Sequence, residues 1–128
     1  MSYYFAKHLD RPFDEVVERV RAGLQDAGFG VITQIDIQAT LKAKLDADFR
    51  PYLILGACNP AMAHEALKLE DKVGAMLPCN VVVQASPGGG VEVAAIDPVA
   101  SMQAIDNPAL KTMAGIVAGK LKGVVEAL

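Results

Sequence analysis

The chain has no tryptophan, only 5% aromatic residues, two cysteines and two histidines. With so few rings, a core has to be assembled from Val, Ile, Leu, Ala and Met. Basic residues are not in excess either. The formal net charge is −3, and without a basic face no nucleic-acid partner is expected. No stretch reaches the ~18 consecutive apolar residues of a membrane-spanning helix, so no membrane partner is expected. The opening residues Met1 to His8 lack the basic-then-apolar layout of a secretory signal, which points to a cytoplasmic protein. In a reducing compartment two cysteines are thiols, ligands or a redox pair sooner than a permanent bridge.

What is present suits one compact domain over residues 1–128. Hydrophobic residues make up 52% and charged residues 21% of the chain, which excludes a disordered polymer. Residues 2–9 read as a first strand. Phe13, Val16, Val17, Val20 and Leu24 then recur at helical spacing, with Pro12 at the helix start, Asp14 and Glu15 in the first turn, and Gly28 closing it. Val31, Thr33, Ile35 and Ile37 alternate with Ile32, Gln34 and Asp36, as in a strand with one buried face. Residues 39–48 are polar and charged and read as a solvated connection with a helical turn or two. Tyr52 to Ala57 is nearly all apolar, like a strand buried on both faces.

Three Asn-Pro or Asp-Pro pairs follow, at Asn59-Pro60, Asp97-Pro98 and Asn107-Pro108. Each combines a strong N-cap with the residue favoured next to it, and so marks a helix start. Between the first two, residues 80–85 and 91–96 form a hairpin about the turn Pro87-Gly-Gly-Gly90. No Gly-Lys-Ser/Thr follows those glycines, which excludes a phosphate loop. The last helix carries Leu110, Met113, Ala114, Val117, Leu121, Val124, Val125 and Leu128. That stripe either covers the sheet or meets, in part, a second copy in a homodimer. The element order predicts an α+β two-layer sandwich of about five mostly antiparallel strands with helices packed on one face.

Chemistry concentrates at two matching corners, Cys58-Asn59 and Cys79-Asn80, which hold the only cysteines. If Asn59 caps a helix, Cys58 stands beside its positive end, where a thiolate is favoured. Asn59 and Asn80 carry amides that can donate to an anion or brace the turns. Against this, cysteine often serves as a small core hydrophobe. No metal and no cofactor is expected. Two cysteines supply half of a zinc set, but His8 and His64 stand at no ligand spacing. Ser86 and Ser101 lie in no serine-hydrolase motif.

Together, Gly56-Ala-Cys58-Asn59-Pro60, Leu77-Pro78-Cys79-Asn80-Val81-Val-Val83, Gly28-Phe29-Gly30-Val31 with Ile35-Asp36, and Asp97-Pro98 resemble the bacterial and archaeal family called domain of unknown function 302. The resemblance covers nearly the whole chain. It implies a compact α+β domain and is compatible with a homodimer. The family has no agreed activity, so it transfers no catalytic residue.

Three functions are compatible with these residues. The first is a small-ligand domain, anions among its candidate ligands, with a pocket at Cys58, Asn59, Cys79 and Asn80. The second is thiol redox or sulfur-carrier chemistry on Cys58 and Cys79, the two candidates for any catalysis. The third is a structural or regulatory homodimer without a small-molecule site.

Overall fold

The computed structural model describes residues 2–128 and has five strands and five α-helices. In chain order these are β1 (Tyr4–Leu9), α1 (Phe13–Asp26), β2 (Gly30–Asp36), α2 (Ile37–Leu45), β3 (Tyr52–Cys58), α3 (Pro60–Leu69), β4 (Cys79–Ala85), β5 (Val91–Ile96), α4 (Pro98–Ser101) and α5 (Pro108–Glu126). A short 3₁₀ helix, Asp71–Met76, links α3 to β4. The strands form one sheet in the order β1-β5-β4-β3-β2. Every neighbouring pair is antiparallel, so the expected α+β architecture is realised with no parallel pair.

Alternation sets the layers. Leu53, Leu55 and Ala57 of β3, Cys79, Val81 and Val83 of β4, and Val91, Val93 and Ala95 of β5 are buried in one core. From α1, Val16, Val17, Val20 and Leu24 pack into it, joined by Leu121, Val124 and Val125 of α5. Full burial of a Leu or Val side chain stabilises by ~1.5–3 kcal/mol, so this layer dominates the stability. Lys7 of β1 also donates to the main-chain oxygens of Glu126 and Leu128, at 2.9 and 2.6 Å. That places a cation at the negative end of α5.

The α5 stripe is consumed within the protomer. Leu110, Ala114, Ala118, Leu121, Val124 and Val125 are all buried, and Ile116 is its one large exposed apolar side chain. Leu121, Val124 and Val125 pack on the sheet core, and Leu110 and Ala114 pack in a second apolar cluster with Ala66, Val73 and Met102.

The three proline-marked helix starts are present as expected. Asn59, Asp97 and Asn107 each accept from a backbone N–H in the first turn, at 3.3, 3.0 and 3.2 Å. Pro60, Pro98 and Pro108 follow directly. Pro12, by contrast, is itself the cap of α1 and not its first helical residue.

Two local expectations need correction. β2 carries a bulge: Val31 pairs with Ala57 and Thr33 with Gly56, so Ile32 is supernumerary. A bulge shifts the alternation by one residue. Val31 packs on the core, whereas Thr33 and Ile35 are exposed. Ile37 has left the strand altogether and starts α2. Residues 39–48, expected to be a solvated connection with a helical turn or two, hold most of a somewhat longer helix that stays on the surface. Asp36 ends the strand and caps α2 by accepting from Ala39 N at 2.9 Å. α2 runs nine residues without burying any of them.

Candidate functional site

The two Cys-Asn corners meet at one end of the sheet. In the β3–β4 register Ala57 stands opposite Cys79 and Gly56 opposite Asn80. Cys58 therefore sits one residue beyond Cys79's partner, where β3 gives way to α3. Both cysteines are free thiols, Cys58 half-buried and Cys79 buried.

Close packing holds these corners in place. A Cβ on Gly56 would overlap the side chain of Thr33 and lie 2.6 Å from the Pro78 ring. Only glycine lets β2 and the residue before Cys79 approach β3 this closely. The Leu77–Pro78 peptide bond is cis. On the other side, Gly28 has φ +91°, and a Cβ there would contact the Asn59 side-chain nitrogen at 3.4 Å. The Gly28-Phe29-Gly30 segment is thus the floor on which the first corner rests.

A cavity of about 370 Å³ opens beside them. It lies between two apolar clusters that do not merge. The main core supplies Phe29, Ala57 and Cys79 to its wall. A satellite cluster between α3, the 3₁₀ helix, α4 and α5 supplies Ala66, Met102 and Leu110. Ile32, the bulged residue, and Leu67 line the rim and are exposed, at 61% and 43%. No charged side chain lines the cavity, and Asn59 is its one amide.

Three of the four residues expected at the site share this wall: Cys58, Asn59 and Cys79. Asn80 does not. Its neighbours Cys79 and Val81 point into the core, so Asn80 lies on the opposite sheet face, exposed to solvent. The oxygen of Asn59 is engaged with Met62 N in capping α3. Burial pushes the Cys79 thiol up to about 11, reinforced by the neighbouring Cys58. A desolvated thiol keeps its proton, so Cys79 is neutral at physiological pH.

Phe29, from the Gly28-Phe29-Gly30-Val31 motif, belongs to the wall, as does Met102, which carried no local signal in the sequence because its place depends on how the two clusters pack. A second constellation also escaped the sequence. His8 Nδ1 hydrogen-bonds Ser86 Oγ at 3.2 Å, and its Nε2 meets Asp10 Oδ1 at 3.1 Å. It stands at the far end of β4 from Cys79, on exposed side chains, and joins the β4–β5 turn to β1. His64 is exposed on α3. Among the described residues, no three His, Cys, Asp or Glu side chains gather where a metal ion could be held. No helix among them is long and apolar enough to cross a membrane.

Sheet order, helical cover and the Cys-Asn corners together define an α+β domain with a pocket between core and satellite cluster. The model of the family described as "Domain of unknown function DUF302" matches residues 5–128, and the chain belongs to that family. A crystal structure of an uncharacterized conserved DUF302 protein from Bacillus stearothermophilus is similar throughout, with a TM-score of 0.91 at 28% identity over 98% of each chain. No curated protein matches the chain.

Proposed function

We propose that this protein is a small-ligand-binding domain, with its ligand seated against Cys58, Asn59 and Cys79. One observation carries the reading: an apolar cavity of about 370 Å³ beside both cysteines, within the volume range of small-molecule sites. The wall argues for an uncharged ligand, not the anion that paired Asn amides and a helix end suggested. Asn80 faces away, Asn59 is committed to its cap, and an unpaired charge in such a wall is strongly disfavoured. Asn59 retains its amide N–H groups, enough to orient one ligand oxygen.

The test is a thermal-shift screen of small uncharged compounds, repeated on Ala63→Phe, which puts a ring into the cavity from α3. Stabilisation of the native protein that disappears in the folded variant supports the reading. Stabilisation that survives in full would place binding elsewhere and reject it.

Thiol chemistry is a second reading, favoured by the shared wall of Cys58 and Cys79. In that reading Cys58, the more accessible thiol, reacts first. The neutral, buried Cys79 is a slow resolving partner, which ranks this reading second. Pairing of two copies is a third reading, ranked last because most of the α5 stripe is already buried within the chain.

A further inference from the structure

The sulfur atoms of the chain are distributed unevenly. Its sulfur-bearing residues are two Cys and five Met, and Cys58, Cys79, Met62, Met102 and Met113 all line this same cavity. Among the described residues the main core, made of Val, Leu, Ala and Phe, contains no methionine, and Cys79 is its one sulfur. Thioethers often fill irregular gaps in cores. Here, however, three of them border a space that stays open.

From this partition we infer that the ligand is an uncharged aromatic molecule, held by sulfur–ring contacts from Met62, Met102 and Met113. The inference rests on the ligand-binding reading above and adds the chemical class. A polarizable thioether at ~5 Å from an aromatic ring contributes attraction that a saturated guest does not receive. The wall itself contributes one ring, Phe29, and aromatic pairs favour edge-to-face or offset contact. Charged aromatics are disfavoured, since no lining side chain offers a counter-ion. Met62 and Met113 are half-buried and Met102 is buried. Two thioethers are therefore more accessible to solvent than the third. Methionine, with three rotatable bonds, adapts to such a guest without moving the backbone.

The experiment compares 2-naphthol with decahydro-2-naphthol, which share a carbon skeleton and a hydroxyl but differ in aromaticity. Binding of each is measured by calorimetry on the full chain. The aromatic compound is expected to bind about tenfold tighter, equivalent to ~1.4 kcal/mol. The Met62→Leu/Met102→Leu/Met113→Leu variant keeps wall volume nearly unchanged and is expected to bind both compounds alike. If that variant does not fold, Met62→Leu and Met113→Leu alone must each reduce the preference at least twofold. Equal binding of the two compounds by the native protein overturns the aromatic inference and leaves the cavity reading intact. A preference that persists without the thioethers overturns it too. Binding of neither compound removes the ligand-binding reading itself, and this inference with it.

Discussion

The side-chain nitrogen of Asn59 lies 3.4 Å from where a Cβ on Gly28 would stand. Gly28 ends the turn after α1 with φ +91°, and Asn59 starts α3. Two helix boundaries about thirty residues apart in sequence are thus packed on each other at the site. Gly28→Ala imposes a left-handed conformation on an L side chain, at a cost of ~1 kcal/mol or more. The expected result is a lower urea midpoint with an unchanged m-value. A midpoint equal to that of the native protein would show that this contact does not constrain the site.

Asn59 and Asn80 look equivalent in sequence and are expected to behave differently. Asn59→Ala removes the cap that receives Met62 N, with an expected loss of ~0.5–2 kcal/mol. Asn80→Ala changes an exposed side chain and is expected to stay within ~0.5 kcal/mol. Chemical denaturation of the two variants side by side decides the matter, and equal losses would contradict the assignment of Asn80 to the outer face.

Of the chain's glycines, Gly56 leaves the least room for a side chain. Gly56→Ala drives a methyl into Thr33 and to 2.6 Å from the Pro78 ring. Overpacking of this kind costs ~1–3 kcal/mol. Adding Thr33→Ala is expected to recover part of the loss and leave the Pro78 conflict. Thermal unfolding of the single and double variants measures the coupling; strict additivity would show that Thr33 is not the obstacle.

The two thiols should react differently. Alkylation of the folded protein with iodoacetamide near pH 8 is expected to modify Cys58 well before Cys79, by peptide mass mapping. The buried thiol also has a pH signature. Its folded value is raised to about 11, above the ~8.5 of an exposed cysteine. Between those values the unfolded chain has lost a proton that the folded chain retains, so stability falls as pH rises. The contribution is complete below pH ~8.5 and is lost progressively toward 11. Cys79→Ala is expected to lower overall stability and to flatten that alkaline slope, read from denaturant midpoints across the range. A slope unchanged by the substitution would assign it to another group.

Helix α2 buries no residue, while α5 buries six, including Leu110 and Leu121. Local opening is easiest where few apolar contacts hold an element. Amides of residues 41–45 are therefore expected to exchange with solvent much faster than those of residues 114–125. Comparable protection in hydrogen-exchange measurements would mean that α2 is held by contacts beyond those of the protomer.

Short-range chemistry was legible from the residues alone. The cap-plus-proline pairs at Asn59, Asp97 and Asn107, the amphipathic stripe of α1 and the hairpin about Gly88 to Gly90 all depend on groups within about one helical turn or one hairpin. So did the position of the two Cys-Asn corners, which fixed where to look for a site. Tertiary structure decided the rest. Whether Asn80 faces the cavity depends on the pleat of β4 within the sheet, set when Val81 and Val83 enter the core. The phase of β2 depends on a bulge at Ile32 that no local pattern announces. The cavity exists because two apolar clusters close separately, and a void between clusters is a property of packing, invisible to periodicity. Local residues specify conformations over a few bonds; the sharing of one wall by Cys58, Cys79, Met62, Met102 and Met113 is decided by the long-range burial that brings β3, β4, α3, α4 and α5 together.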